Sequence, residues 1–282
     1  MRFKHQTKGW GARVVLVSVV AVMASCGDAA RRSFGAAPEG EAKVAAGKTE
    51  QALDAGRRMC LSALKHLESI KDYRCKFVKS ERVGGELIPS ETMQLKVRHS
   101  PFSVYILHKA PSGKNGQEAI YVAGKNGGNL IAHTVGFKAL FLGRMTLEPK
   151  GGLAMRDNRY PITNIGMKNL LSKVLETTKR ERTQLLTGGI SILENEAIDD
   201  RACRCLEMTN SRPREGFRLA SSRLFVDKKW NVPVRYEYYE FPEGDDQKPV
   251  LVERYTYTKV EFNQGLTDKD FDPDSPQYQY PK

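Results

Sequence analysis

Residues 51–71 place their apolar side chains at intervals of three and four, which is the spacing of one face of an α-helix. The charged residues of this stretch fall largely on the other sides. The pattern therefore predicts an amphipathic helix that packs one face against the rest of the protein. The predicted buried face carries Leu53, Cys60, Ala63, Leu64, Leu67 and Ile70.

The hydrophobic period then changes to two, the period of a β-strand with one buried face. Tyr73 and Phe77 alternate with polar residues, and Gly84 and Gly85 mark a turn. Residues 125–128 carry a hairpin signal. Further strand-like runs lie at residues 93–97, 102–108, 118–123 and 130–133. These runs predict a meander of about five antiparallel strands.

The middle of the chain interrupts this pattern. Residues 136–160 mix glycines and prolines with Phe137, Leu140, Phe141, Leu142 and Met145, which indicates either a buried loop or a lid. A second helix is predicted from residue 160, because a proline suits the first turn of a helix. We expect this helix to end in the charged run at residues 179–182.

Strand patterns resume after the second helix, at residues 190–193, 202–208, 218–227, 232–241 and 250–262. Residues 272–276 contain two prolines and cannot continue a strand ladder. The whole pattern predicts the α+β class, with one curved antiparallel sheet of about nine or ten strands and two helices against one face.

An apolar run of eleven residues, 14–24, follows a basic start formed by Lys4, Lys8 and Arg13. As a helix this run is about 16 Å long, whereas a membrane-spanning helix needs roughly 20 residues. The segment is therefore typical of a secretory signal peptide covering residues 1–25. No other stretch approaches this length, so we expect no transmembrane helix after cleavage.

Cys26 follows small residues at the end of this run, so the segment resembles a bacterial lipoprotein signal. The resemblance implies cleavage between Ser25 and Cys26 and a lipid on the Cys26 thiol. It implies a chain anchored in the membrane on the periplasmic side of the cell envelope, and Gly27 favours the outer membrane. Met23 stands where the motif prefers leucine, and an ordinary signal peptide is the alternative.

Residues 26–49 are rich in Ala, Gly, Glu, Lys and Arg and have no apolar period, which predicts a disordered tether. Its mean span is about 26 Å for a flexible chain of this length. Residues 50–282 are of a size that forms a single domain.

The precursor has 45 basic and 33 acidic residues and a net charge of +12. The basic residues are spread along the chain without a long run of like charge. An exported basic protein meets anionic lipid or cell-wall polymer rather than nucleic acid, so we expect no nucleic-acid partner. Charge that serves only solubility is the alternative.

Besides Cys26 the chain has Cys60, Cys75, Cys203 and Cys205. Cys203 and Cys205 stand about 6.6 Å apart on an extended strand, at the limit of disulfide geometry. Cys60 and Cys75 are the candidate disulfide, and four small buried thiols are the alternative. The C-x-C spacing without a nearby histidine pair does not predict a metal site.

The chain contains none of the common hydrolase, metalloprotease or phosphate-binding motifs. We therefore predict no catalytic residue, no metal, no cofactor and no enzyme activity. His108 and His133 fall on nearby predicted strands, where a shared site is one interpretation and a packing role is the other. The last strands carry an aromatic and basic cluster: Tyr236, Tyr238, Tyr239, Tyr255, Tyr257, Arg235 and Arg254. One interpretation is a surface that binds a glycan or a lipid head group, and the other is ordinary cross-strand pairing.

Residues 96–105, 118–121 and 259–271, together with the order of helices and strands, resemble an uncharacterised family of exported bacterial proteins, a domain of unknown function. The resemblance covers residues 50–275. The family is similar in architecture to the LolA/LolB lipoprotein carriers, which implies an incomplete β-barrel with two helices on its concave face. In those carriers acyl chains bind between the sheet and the helices, and no functional residue can be placed on this sequence.

The resemblance implies a membrane-anchored periplasmic lipoprotein that holds an apolar or lipidated ligand without catalysis. The alternative is a structural envelope protein whose sheet binds cell-wall polymer or a protein partner. The sequence identifies no particular protein partner.

Overall fold

The computed structural model describes residues 39–136, 143–183, 188–213, 215, 218–243 and 248–281. Ser25 and Cys26 lie outside the described residues, and so does the predicted signal segment. Four apolar residues of the middle segment also lie outside them: Phe137, Leu140, Phe141 and Leu142.

The first helix, α1, spans Glu39–Glu68. It begins twelve residues earlier than the sequence pattern predicts, so residues 39–49 of the predicted tether are helical in the structure. The physical reason is composition, because Glu, Ala and Lys favour a helix even where no apolar face is present. Residues 26–38 of the predicted tether lie outside the described residues. The division into signal, tether and domain stays a prediction.

Within the described residues, the strands form one antiparallel sheet of twelve members. Their bounds are β1 Asp72–Val83, β2 Glu86–Leu87, β3 Glu91–His99, β4 Phe102–Ala110, β5 Glu118–Val122, β6 Leu130–His133, β7 Arg144–Leu147, β8 Ile190–Ile198, β9 Arg201–Thr209, β10 Leu219–Asp227, β11 Pro233–Glu240 and β12 Val250–Phe262. The strand order is β7-β6-β5-β4-β3-β1-β12-β11-β10-β9-β8, with β2 paired to the end of β1.

This order confirms the predicted open antiparallel sheet built from two meanders. The first meander runs outward from β1 to β7, and the second runs from β12 to β8. They meet where β1 pairs with β12. The described strands at the two ends of the path do not pair with each other, so the sheet is not closed into a barrel.

The middle segment contains a four-residue helix, α2, at Gly152–Met155, and the second long helix, α3, at Met167–Thr183. Pro161 precedes a 3₁₀ turn at Ile162–Asn164, and α3 starts only after Gly166. Gly166 has φ +115°, a backbone conformation outside any helix, which explains why the helix begins later than predicted. In the described part of the chain, no helix is long and apolar enough to cross a membrane.

Both long helices pack on one face of the sheet, here called the inner face. Leu67 of α1 and Leu171 of α3 are fully buried in the same core as Tyr73 and Leu95 of the sheet. Two helices on one face of an open sheet are what the sequence predicts.

The opposite side, the outer face, is covered over β4–β6 by the C-terminal segment. Tyr105, Ile120 and Ile131 form a second apolar cluster with Phe271 and Tyr280. The Tyr278 ring stacks on Tyr105 with a centroid distance of 4.3 Å. This half of the sheet therefore has packed side chains on both faces.

The structure holds Cys60, Cys75, Cys203 and Cys205 as buried free thiols. The candidate disulfide between Cys60 and Cys75 is not formed in this structure, and the pairing stays a prediction. Burial raises the pKa of Cys60 to about 12, and burial also raises the pKa of Cys75. Both thiols are therefore protonated and unreactive at neutral pH.

Candidate functional site

A cavity of about 1290 Å³, here called the inner cavity, lies between the inner face of the first meander and the segment that leads from α2 into α3. Aliphatic, aromatic and thioether side chains line much of it. They include Phe77, Met93, Ile106, Leu130, Met145, Leu147, Ile162 and Leu170.

Small residues on the strands account for the space. Ala119 on β5 and Ala132 on β6 stand directly opposite each other in the antiparallel register. Both line the inner cavity, and their flanking partners across the sheet are Ile106 and Met145. Since neighbouring positions on one sheet face are only about 5 Å apart, two alanines side by side leave a depression that larger residues would fill.

One end of the cavity wall is charged and buried. Glu91 is only 1% exposed, and its carboxylate lies 2.7 Å from the Lys79 ammonium. It also accepts a hydrogen bond from Lys114, whose ammonium lies 3.0 Å from Asp157. Burial by itself raises the pKa of Glu91, but the two lysines outweigh it and hold that pKa below its ordinary value. Glu91 is therefore ionised.

A second pair of buried carboxylates continues this wall towards β12. The Tyr255 hydroxyl donates to Glu81 and lies 3.2 Å from Glu253, which is 1% exposed. Lys173 of α3 donates to Glu253, and its ammonium lies 4.0 Å above the centre of the Tyr160 ring. Burial, followed by the charges of the two carboxylates, raises the pKa of Tyr255, so its hydroxyl stays protonated.

These pairs connect the segment between α2 and α3 to the sheet. The backbone N–H of Arg159 donates to Glu81 at 2.9 Å, and its guanidinium donates to the carbonyl oxygen of Arg82 at the same distance. Lys79 donates to Asn158. The residues between α2 and α3 are thereby fixed as the wall that faces the sheet.

His108 lines the inner cavity beside this wall. Its Nδ1 atom is buried and lies 4.0 Å from a carboxylate oxygen of Glu91, too far for a hydrogen bond. Burial lowers the pKa of His108 to about 4, aided by Lys114 and Lys79 and opposed by Glu91. The imidazole is therefore neutral at pH 7 and a weak proton acceptor.

His108 and His133 both contribute to the lining of the inner cavity, but their side chains lie on opposite faces of the sheet. In the register of β5 and β6, His133 stands opposite Glu118, and both side chains lie on the outer face. His108 is two residues after Ile106 on β4, so its side chain lies on the inner face like that of Ile106. The His133 ring packs against Tyr280 at a centroid distance of 4.7 Å, with Nε2 3.6 Å from Glu118. Its role is packing under the C-terminal segment.

The aromatic and basic cluster predicted on the last strands is divided between the two faces. Tyr236, Tyr255 and Tyr257 are buried on the inner face. Arg254 lies on the opposite side, where its guanidinium contacts Glu237 and the Tyr239 hydroxyl. The residues therefore do not form one binding surface for a glycan or a head group.

Among the described residues, no group of three or more histidine, cysteine, aspartate and glutamate side chains is arranged to hold a metal ion. The ionised groups of the wall neutralise one another, and the nearby imidazole is uncharged. Chemically, this arrangement encloses an apolar space and offers a few neutral hydrogen-bonding groups. Sequence reasoning missed the buried charges. The sequence does contain a pattern that indicates them. Lys79 and Glu81 follow Phe77 at intervals of two, which places both charges on the buried face of β1.

Several solved structures are similar to the chain at low identity. The Mycobacterium tuberculosis lipoprotein LppX is 13% identical, with 78% of this chain and 99% of that chain covered and a TM-score of 0.44. A putative outer membrane lipoprotein-sorting protein domain from Vibrio parahaemolyticus is 10% identical, with coverages of 79% and 98% and a TM-score of 0.37. A LolA superfamily protein from Nitrosomonas europaea is 14% identical, with coverages of 76% and 98% and a TM-score of 0.32.

No curated protein matches the chain. The comparison with family models gives a match over residues 70–280, from the end of the first long helix to the C-terminal segment. The model is that of DUF1571, described as a protein of unknown function. Because the match covers well over half of the sequence, the chain belongs to the DUF1571 family.

Proposed function

We propose that this protein is a lipid-anchored protein of the cell envelope that holds an apolar or lipidated ligand in its inner cavity, without catalysing a reaction. The observation that carries the proposal is the apolar cavity of about 1290 Å³ between the sheet and the α2–α3 segment. A cavity of this size exceeds the roughly 300–1,000 Å³ of pockets for drug-sized ligands.

An acyl chain fits the chemistry of the lining. Each methylene group that moves from water into an apolar environment gains about 0.8 kcal/mol. The side chains around Ala119 and Ala132 offer such an environment. Binding therefore needs no chemical step, and the ligand is held by burial.

The proposed location depends on the N-terminal sequence. A basic start, a short apolar run and Cys26 support export and acylation of the cysteine thiol. A chain anchored in this way acts at one membrane, and the periplasmic side follows from export. The outer membrane is the proposed site because Gly27, rather than Asp, follows the cysteine.

The test is ligand recovery and displacement with purified protein carrying Cys26→Ser. We expect organic extraction and mass spectrometry to recover a lipid, and a fluorescent fatty-acyl probe to bind and be displaced by lipid extract. Ala132→Trp fills the inner cavity and is expected to abolish probe binding. Thr146→Trp lies on the exposed side of the neighbouring strand β7 and serves as the matched control.

If the wild type binds no probe, or if Ala132→Trp binds it as well as the wild type does, the proposed ligand site is wrong. Far-UV circular dichroism of both variants checks that the fold is retained.

A further inference from the structure

We infer that the inner cavity selects uncharged amphiphiles that carry a hydroxyl or amide N–H next to the acyl chain, and that His108 is the residue that accepts this hydrogen bond. The inference depends on the proposed function, because it specifies which ligands the same cavity takes.

The first step is the charge of the buried wall. Glu91 is matched by Lys79 and Lys114, and Glu253 is matched by Lys173. Glu81 accepts bonds from the Tyr255 hydroxyl and from a backbone N–H. Each of these buried carboxylates is thus already compensated by a neighbour within the wall.

The second step is the consequence for a charged ligand. An anionic head group that entered this region would have to take a lysine from its carboxylate partner. Leaving a buried charge without its partner is strongly destabilising. Four further charged residues line the cavity. Arg156 and Glu176 are opposite in sign and exposed to solvent, and the other two are acidic: Asp157, which pairs with Lys114, and Glu118, which lies beside His133. The cavity therefore offers no net attraction for an anion.

The third step is the position of His108. Its side chain is 17% exposed, yet it makes no hydrogen bond with any residue that the structure describes. Because Nδ1 is buried towards Glu91, the accessible part of the ring lies away from Nδ1, on the side of Nε2. A cavity-lining imidazole without a partner differs from the lysines and carboxylates beside it, which are all paired.

The fourth step is the tautomer. A negative carboxylate oxygen 4.0 Å from Nδ1 favours the proton on that nitrogen. The lone pair is then on Nε2, which faces the cavity and can accept a hydrogen bond. A ligand hydroxyl or amide N–H supplies the donor, whereas an ester or a hydrocarbon chain has none. Monoacylglycerols and N-acyl amides are the chemical classes that fit.

The experiment measures dissociation constants of the Cys26→Ser protein for three probes with the same acyl chain: monooleoylglycerol, methyl oleate and oleate. We expect the wild-type cavity to bind monooleoylglycerol about three- to tenfold more tightly than methyl oleate, the ratio expected from one net hydrogen bond. Oleate is expected to bind more weakly than monooleoylglycerol. His108→Phe keeps a ring of similar size without an acceptor and should bring the first ratio to about one.

His108→Leu provides a second variant without an acceptor, in case the Phe ring disturbs the fold. A monooleoylglycerol preference that is unchanged in either folded variant overturns the role of His108. Oleate binding that is tighter than monooleoylglycerol binding overturns the selection against anions. Binding of methyl oleate without any preference would contradict this inference alone, whereas no binding of any probe would also contradict the proposed function.

Discussion

Lys79 on β1 and Glu91 on β3 stand directly opposite each other in the antiparallel register, and their charged atoms lie 2.7 Å apart. Both side chains are almost completely buried, at 10% and 2% exposure. The pair forms the start of the polar wall of the inner cavity. A buried pair of this kind is weakly stabilising as a pair, but removing one partner leaves the other uncompensated.

Lys79→Met is therefore expected to reduce the free energy of unfolding by about 3 kcal/mol, because Glu91 loses its closest counter-charge. Urea denaturation followed by circular dichroism measures the change. Lys76→Met, at an exposed position on the same strand, is the control and should change stability by less than about 0.5 kcal/mol. The double variant Lys79→Met, Glu91→Leu should recover much of the lost free energy of unfolding. A Lys79→Met protein as stable as the wild type would contradict the argument.

Gly166→Ala is expected to destabilise the protein by about 1–3 kcal/mol, since the residue has φ +115° and an added Cβ would lie 3.2 Å from the Tyr73 hydroxyl. Gly152→Ala is the matched control in the same segment, because a Cβ there meets no atom within 4 Å. Thermal unfolding of the two variants separates them. A Gly166→Ala protein as stable as Gly152→Ala would show that the turn before α3 tolerates another conformation.

His108 should make stability depend on pH between about 6.5 and 4. Its pKa is about 4 in the folded protein against an ordinary 6.5, so the unfolded chain binds a proton that the folded chain does not. The protonation of His108 therefore does not affect the free energy of unfolding above pH 6.5. As the pH decreases through this window, that free energy falls by at most about 1.4 kcal/mol per pH unit.

His108→Phe removes this contribution, and its free energy of unfolding should change less steeply than that of the wild type across the same window. Glu91 has a lowered pKa, so its own contribution is lost only below its ordinary value of 4.5, at the acidic end of the window. Urea titrations at several pH values compare the two proteins. Parallel curves would contradict the assignment of a buried neutral imidazole.

Tyr280→Ala should reduce the free energy of unfolding by about 3 kcal/mol, because a large ring that is 8% exposed leaves the cluster on the outer face. Tyr280→Phe keeps the ring and loses only a hydroxyl 3.3 Å from the carbonyl oxygen of Ile131. Its cost should be about 1 kcal/mol or less. Similar losses for both variants would mean that the hydroxyl rather than the ring provides the stability.

Cys26→Ser should transfer the protein from the membrane fraction to the soluble fraction, because no thiol remains to carry the lipid. Fractionation followed by immunoblotting makes the comparison, and Ser33→Ala in the same N-terminal region is the control variant. A Cys26→Ser protein that stays in the membrane fraction would exclude the anchor and the location proposed from it.

The hydrophobic periods predicted the antiparallel sheet, the two meanders and the two long helices, because each depends on an alternation that is visible over many residues. The resemblance to the carriers, rather than the periods, implied that the sheet is open. The start of α1 at Glu39 was not predicted, since its first turns have helix-favouring residues but no apolar face. Strands β2 and β7 are two and four residues long, too short to show a period. Gly166 shifted the start of α3 through its backbone conformation, which periodicity does not report.

Only part of the charged wall could be predicted from the sequence. The parity of Phe77, Lys79 and Glu81 places the two charges on the buried side of β1. The partners of these charges depend on strand register and on the α2–α3 segment, which bring Glu253 and Lys173 to the same wall. Contacts across so many residues arise from the fold and leave no local pattern in the sequence.

The pairing of β1 with β12 also sets an order of assembly. Each meander pairs strands that follow one another along the chain, whereas Phe77 pairs with Tyr257 from the opposite end of the domain. During synthesis or export, β1 therefore has an unpaired edge until the last strand emerges. Such edges recruit other strands, and pairings between distant segments form slowly. We expect the pairing of β1 with β12 to be the slowest step of folding, and the chain to be most prone to aggregation before this pairing forms.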